Sequence, residues 1–477
     1  MSVKKNFLFN SVLLVSQYIF PMLVFPYITR IFGASTLGLV SFVDGICDYF
    51  VLFSALGLTI TGIRAIARAN GNKEELSKTF SELFSIHLIT TTLFLIFYTI
   101  LIFTVPKMRI SNELFLISIA KLFFNVFLVE WFYRGIENFK FITVRTILIK
   151  AIYVVLVFVF VKTKNDFTIY YILTCSVIVL NSIVNFLNTK GKVSIHFRNL
   201  NLKQHLPSFF NIGIYILVTS MYTTLNIGFL GFASNNTSVG YYSTSSKIFM
   251  IVLGFFSALN TVLIPRLSSL IVGDDQRTFL DLIHKSLNVV ITFSFPIVFC
   301  GFMLAKSIIY IISGPGYDGA VLCFKLIIPL IFILGLAQIF ANQILMTIKK
   351  DKELLKASIV GAICGITLNF ILVPHYKEVG TSIVLLISEI TVTAILYSYV
   401  IKFTEFRLPV KKILVNIVLS IPYIIISFIT MAIFSKPIVV LAIAGSVSGL
   451  YFILSQLFIL KNQLLLPYYN KLLAIKS

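Results

Sequence analysis

Runs of about 20 apolar residues, each ended by a short polar break, recur along the whole chain. As an α-helix such a run rises about 30 Å, which is the thickness of a bilayer's hydrocarbon core. Composition points the same way. Of 477 residues, 58% are hydrophobic and 12% charged, with a mean hydropathy of +0.98. Charged residues usually make up about 25%, and a soluble globule with so few would have nothing to cover its surface. The sequence therefore reads as an all-α polytopic membrane protein solvated by lipid.

Counting the runs gives fourteen spans, from residues 8–29 and 37–62 at the start to 414–434 and 438–460 at the end. Lys4-Lys5 before the first run is how a signal peptide begins, but the run continues to Arg30 without a clear cleavage site, so a retained first helix is expected. The net charge of +21 follows from topology rather than from a nucleic-acid partner. With the N-terminus inside, inner loops hold 27 Lys and Arg and outer loops 8, so both termini are expected on the cytoplasmic side of the membrane. The five cysteines fall singly in apolar runs, with no CxxC and no Cys/His cluster, so no disulfide framework or metal site is expected. No loop is long enough for a folded extramembrane domain of even about 50 residues; the helices must form the working surface.

A weak internal repeat is present. Phe53-Ser54-Ala55-Leu56 recurs as Phe256-Ser257-Ala258-Leu259, Leu37-Gly38 corresponds to Val239-Gly240, and Arg64 to Arg266, at offsets of 203, 202 and 202 residues. Six spans separate the copies, so they share one orientation, as in transporters built of parallel repeats. The expected architecture is a lobe of six helices over 1–206, a second over 207–412, and two further helices with a cytoplasmic tail over 413–477. Like-oriented lobes around a central cavity suit rocking between inward- and outward-open states.

Eight ionisable residues fall inside the spans: Asp44, Asp48, Lys121, Glu130, Lys150, Lys247, Lys325 and Glu389. Each costs about 2.5–3.5 kcal/mol at mid-bilayer on insertion scales, so a cavity or a partner is expected for each. Ser41, Asp44 and Asp48 share one helix face. Two carboxylates one turn apart repel and can hold a proton between them; the alternative is that both pair with lysines. Lys247 and Lys121, the latter with Asn125 one turn on, lie deep enough to meet an anion, or else to pair with the acids. Lys150 and Lys325 lie nearer span ends, where snorkelling explains them. Glu130 and Arg134 read as an ordinary i, i+4 pair. Glu389 sits near a midplane with no partner readable. A polar stretch that includes Asn211, Tyr215, Ser220, Tyr222 and Asn226 could meet sugar hydroxyls or simply pack helices. Pro21, Pro26, Pro296 and Pro329 mark expected kinks.

Catalytic patterns are missing: there is no Walker loop, HExxH, GxSxG or acid pair on an outer loop, and the histidines are scattered. Neither an enzyme nor a cofactor is expected. Glycan polymerases and membrane glycosyltransferases would need a sizeable outer loop that this chain does not have.

In order along the chain come Pro26-Tyr27-Ile28-Thr29-Arg30-Ile31-Phe32-Gly33 leading into Leu37-Gly38, then Gly62-Ile63-Arg64, Glu130-Trp131-Phe132-Tyr133-Arg134-Gly135, and Gly314-Pro315-Gly316-Tyr317 with Ala320. This series resembles the bacterial polysaccharide flippases of the Wzx group, in the MATE/MOP superfamily. The resemblance implies a MATE-like fold and alternating access. It also implies a substrate of undecaprenyl-diphosphate-linked oligosaccharide moved from the inner to the outer leaflet of the plasma membrane, with polysaccharide polymerase and chain-length machinery as further partners. Arg30, which sits in the matching motif, is a candidate for binding diphosphate and glycan; Lys121, Lys247, Asn211 and Asn226 join it, and Asp44, Asp48 and Glu389 are candidates for ion coupling, on the physical reading of the spans alone. The alternatives are a lipid II flippase of peptidoglycan synthesis and a MATE-type drug/cation antiporter.

Overall fold

The computed structural model describes residues 3–198, 200–272 and 275–460. The described chain is helical throughout, without a strand. Ten helices are long and apolar enough to cross a membrane by length and composition. They become eleven when Asp318–Ile327 and Leu330–Leu345, bent by 40°, form one span. The sequence divides the chain more finely because two helices run on through its expected breaks. These are Leu8–Ala69, of 62 residues, and Asp351–Phe403, of 53. Even the shorter rises about 80 Å, more than twice the hydrocarbon thickness. Each breaks inside, at Gly33 (φ 71, ψ 174) and at Lys377 (φ 48, ψ −125). The helix Asn236–Val272 is not among the ten. Of the prolines expected to kink helices, Pro329 stands at the 40° bend, while Pro21, Pro26 and Pro296 lie inside helices that continue.

The chain divides into two compact units, residues 1–243 with 361–385, and residues 244–360 with those from 386 onward. The first unit is built from α1 (Val3–Ala55), α2 (Leu58–Ala69), α3 (Lys73–Thr104), α4 (Pro106–Ile110), α5 (Asn112–Phe124), α6 (Glu130–Gly135), α7 (Phe139–Phe160), α8 (Phe167–Asn188), α9 (Leu206–Thr223) and α10 (Leu225–Ala233). It also takes the start of α11 (Asn236–Val272). Its core at one end is aromatic. Phe80 lies 5.3 Å from Trp131 and 5.1 Å from Phe132, ring centre to ring centre. Two of the sequence motifs meet here. A β-carbon on Gly62 would lie 3.1 Å from Trp131, and one on Gly135 would lie 2.5 Å from Ile66, so glycine at both positions lets α2 and α6 close on each other.

The closest backbone approach within this unit joins the repeat-related positions. A β-carbon on Gly38 would sit 1.7 Å from the Asn236 carbonyl oxygen, and one on Gly240 would sit 1.9 Å from that of Ala34. The contact is reciprocal, because Asn236 and Gly240 follow Ala34 and Gly38 by the same 202 residues. A second such approach joins Gly57 and Gly213, where β-carbons would fall 2.9 and 3.1 Å from the other glycine's nitrogen.

A segment after α8 is strapped to the first turns of α3. The backbone N–H groups of Ser194 and His196 donate to Ser77 Oγ (3.1 Å) and Ser81 Oγ (3.0 Å). Glu82, fully buried, accepts from Asn201 N (2.9 Å) and Gln204 Nε2 (2.6 Å), and its carboxylate lies 2.8 Å from His205 Nε2. A buried carboxylate needs such partners to be retained, and here all of them come from the strap.

The second unit holds the remainder of α11 with α12 (Gln276–Met303), α13 (Ala305–Ser313), α14 (Asp318–Ile327), α15 (Leu330–Gln338), both ends of α16 (Asp351–Phe403), α17 (Val410–Val418), α18 (Ile421–Ile433) and α19 (Pro437–Leu454). Polar side chains pin its helices together. Gln343 Nε2 donates to Ser286 Oγ (2.8 Å), and Ser245 Oγ to the carbonyl of Ala320 (2.7 Å). Leu304, Val440 and Ala444 form a small apolar core.

Two outcomes are expected. Gly38→Val should lower the melting temperature of the solubilised protein by an amount equivalent to about 1–3 kcal/mol of overpacking. Gly445→Ala, where a β-carbon meets nothing within 4 Å, should leave it unchanged or raise it slightly; equal tolerance of both would dispose of the close approach. Glu82→Ala should speed hydrogen exchange over 194–205 well beyond the rate in α3, and unchanged exchange there would mean that the strap is held by other contacts.

Candidate functional site

The most concentrated charge in the membrane-spanning part of the first unit is a triad. Beyond the break at Gly33, α1 carries Asp44 and Asp48 one turn apart, and α5 carries Lys121 near its C-terminal end. Lys121 Nζ lies 2.6 Å from Asp44 Oδ1 and 2.6 Å from Asp48 Oδ1. The lysine side chain is 6% exposed, the two aspartates 32% and 47%. The ammonium is thus sunk beneath two partly open carboxylates. The three side chains place one positive charge between two negative ones.

The surroundings are polar. Cys47 Sγ donates to the Ser118 carbonyl (3.5 Å), and the Ser118 and Tyr98 hydroxyls lie 2.6 Å apart. Asn125, one turn beyond Lys121, lies 3.4 Å from Nε2 of buried His87. Ser41 Oγ, Thr91 Oγ1 and His87 Nδ1 are buried without a hydrogen-bond partner among the described residues. Buried polar atoms of this kind are uncommon in a packed apolar core.

The other candidates are placed as follows. Arg30 and Lys247 are exposed on their helices. Asn226 is fully buried; it donates to the Tyr222 carbonyl (2.9 Å) and accepts from Asn369 Nδ2 (2.9 Å), so it ties α9 and α10 to the middle of α16. The side chain of Asn211 lies outside the described residues. Glu389 is buried, with no ion pair or hydrogen bond among the described residues. The structure therefore brings together Asp44, Asp48 and Lys121, which is the pairing alternative of the sequence reading. No set of three or more His, Cys, Asp or Glu able to hold a metal occurs among the described residues, and none of the five cysteines is in a disulfide there.

Two buried charges escaped the sequence reading. Arg145, near the start of a span, falls among the loop charges by position. It is buried and donates to Glu130 Oε1 (3.2 Å) and to the Asn181 carbonyl (3.1 Å). Glu130 also accepts from Arg134 (3.4 Å), so the expected helix pair is part of a three-residue cluster. Glu82 is the first residue of the expected span 82–103 and is not among the eight charges assigned to spans. The only available signal in either case is an isolated charge close to a long apolar run.

The pattern of the polysaccharide biosynthesis protein family matches residues 3–271, more than half of the chain. A putative O-antigen transporter of Escherichia coli (strain K12) is 29% identical over 408 residues, covering 84% of this chain and 97% of that protein. A putative O-antigen transporter of Shigella dysenteriae is 26% identical over 82% of this chain and 98% of its own length. Among solved structures, the lipid II flippase MurJ in an inward closed conformation aligns with a TM-score of 0.75 at 16% identity, over 92% of this chain and 97% of that one. An inward-facing multidrug resistance MATE family transporter of the MOP superfamily aligns with a TM-score of 0.58, also at 16% identity, over 84% and 94%. These two likenesses establish the fold.

The triad predicts a specific coupling. Lys121→Met leaves two carboxylates facing each other and should destabilise the solubilised protein by about 3–5 kcal/mol, as for a broken buried pair. Adding Asp44→Asn and Asp48→Asn to that variant should recover most of the loss. Strictly additive losses in melting temperature would show that the three residues do not interact.

With a multi-pass helical architecture, the fold of MurJ and MATE transporters, and a family match over more than half its length, this chain belongs to the polysaccharide biosynthesis protein family.

Proposed function

We propose that the protein is a flippase that moves undecaprenyl-diphosphate-linked oligosaccharide from the cytoplasmic to the outer leaflet of a bacterial plasma membrane, for O-antigen, capsule or exopolysaccharide assembly. The observation that carries this reading is the near end-to-end match to two proteins named putative O-antigen transporters. A protein named for capsular polysaccharide biosynthesis, CapF of Staphylococcus aureus, matches at 22% identity over 71% of this chain. The likeness to MurJ supports a fold competent to move a lipid-linked sugar.

Transport proceeds by alternating access, without catalysis by the protein. Gly38 lies at the end of its span that the charge asymmetry assigns to the outside, and Gly57 toward the inside, about 28 Å further along at 1.5 Å per residue. The contacts Gly38–Gly240 and Gly57–Gly213 therefore sit near opposite faces of the membrane and must part in turn. Small residues suit such gates because backbone meets backbone without side chains to unlock. Asp44 and Asp48 take up the coupling ion and Lys121 is their internal counter-ion, so uptake and release change how firmly α1 is held to α5. Arg30 and Lys247 attract the diphosphate. Both termini are cytoplasmic, and polymerase and chain-length machinery receive the product.

In a deletion strain, lipid-linked oligosaccharide should accumulate on the cytoplasmic leaflet and surface polymer should be lost, with peptidoglycan intact. Lys247→Ala and the pair Asp44→Asn with Asp48→Asn should fail to restore export while still reaching the membrane. Arrested peptidoglycan synthesis would instead assign a lipid II flippase. Normal polymer with altered drug or cation sensitivity would assign an antiporter.

A further inference from the structure

The strap that crosses the start of α3 borders an open cavity of about 520 Å³ lined by Lys73, Glu74, Ser77, Lys78, His196 and Arg198 among others. Its size suits a ligand larger than a single ion. Lys73, Lys78, His196 and Arg198 are exposed, and among the described residues none of their side chains forms a hydrogen bond or ion pair. Three permanent cations and a histidine thus converge on one space with a single carboxylate, Glu74, against them. The floor is rigid, because Ser77 and Ser81 receive the strap's N–H groups and Glu82 holds its far end.

The fold does not need this charge. Under the 202-residue repeat, Lys73, Glu74, Ser77 and Lys78 correspond to Asp275, Gln276, Phe279 and Leu280. In the second unit those last three positions line a cavity of about 310 Å³ with Lys402, Phe403 and Glu405. The same architectural position is therefore built once with an excess of cations and once with apolar residues and an acid–base balance. Unpaired like charges repel, so keeping them together is a cost to folding that an anionic ligand would offset.

Geometry limits what can arrive. α3 has 32 residues and rises about 48 Å, of which about 30 Å is needed to cross the hydrocarbon. Its exposed large apolar residues begin only at Ile89. Lys73 and Lys78 therefore stand beyond the hydrocarbon, within reach of water and of lipid headgroups. Arginine and lysine side chains match the oxygens of a phosphate group. We propose that this cavity binds a phosphate ester at the end of the first unit, in a site separate from the Asp44–Lys121–Asp48 triad, closing the strap onto α3 through Arg198 on one side and Lys78 on the other.

The test uses the full chain in phosphatidylcholine nanodiscs, with labelled inorganic pyrophosphate as the soluble probe in equilibrium dialysis at fixed ionic strength. A second arm replaces part of the lipid with phosphatidylglycerol and counts retained lipid by native mass spectrometry. Saturable binding in the first arm identifies a soluble phosphate, and preferential retention in the second identifies a headgroup. In whichever arm responds, Lys78→Gln with Arg198→Gln should weaken binding by about tenfold or more, which is about 1.4 kcal/mol. Glu74→Gln should tighten it. Wild-type protein that binds neither probe, or a double variant that binds as well as wild type, would overturn the proposal. All of these variants alter exposed side chains, and export in the deletion strain, scored separately, tests the flippase reading independently.

Discussion

Two helices in a bilayer gain little by burying apolar surface against each other, because lipid is as apolar as they are; what holds them is close packing. Gly38 and Gly240 supply the tightest instance within the first unit, where each glycine receives a carbonyl oxygen from the other helix at a distance no side chain would permit. The reciprocity of the contact follows from the repeat, which places a small residue and a glycine four apart at the start of both α11 and the second half of α1. The break at Gly33 aims that half-helix, since its backbone angles are open to glycine and strained for other residues. Everything that α1 carries further along, including Asp44 and Asp48, is positioned from these two points.

Charge imposes the second constraint. An ammonium in a low-dielectric interior is retained only with partners, and Lys121 has two. Arg145 and Glu82 solve the same problem differently. The arginine bridges a carboxylate and a main-chain carbonyl, and the glutamate gathers donors from a crossing segment. Both clusters tie elements together. The triad sets its ammonium beneath carboxylates that are 32% and 47% exposed.

Helical class, the shared face of Asp44 and Asp48, and the pairing of Glu130 with Arg134 were legible because each depends on spacing within one helix. The identity of the lysine between the aspartates was not. Lys121 lies 73 residues beyond Asp48, and only the packing of α5 on α1 selects it over Lys150. Arg145 and Glu82 were lost because hydropathy draws the membrane boundary between residues, whereas burial is decided by what packs on that boundary. The breaks expected after residues 29 and 373 fall where the long helices Leu8–Ala69 and Asp351–Phe403 leave helical geometry, at Gly33 and Lys377. Asn226 reads in the sequence either as a sugar-facing or as a helix-packing amide. Its hydrogen bond with Asn369, 143 residues away, is invisible to any local pattern.

Trp131 is the only tryptophan in the 477 residues, and it is wedged between the glycine face of α2 and the ring of Phe80 on α3. Nature has in effect supplied a single-site optical label at the joint where three helices meet. Any sliding of α2 past α6 changes the solvent and ring environment of that one indole. Ultraviolet emission from the unlabelled protein therefore reports on a defined hinge, with no second chromophore of its kind to blur the signal.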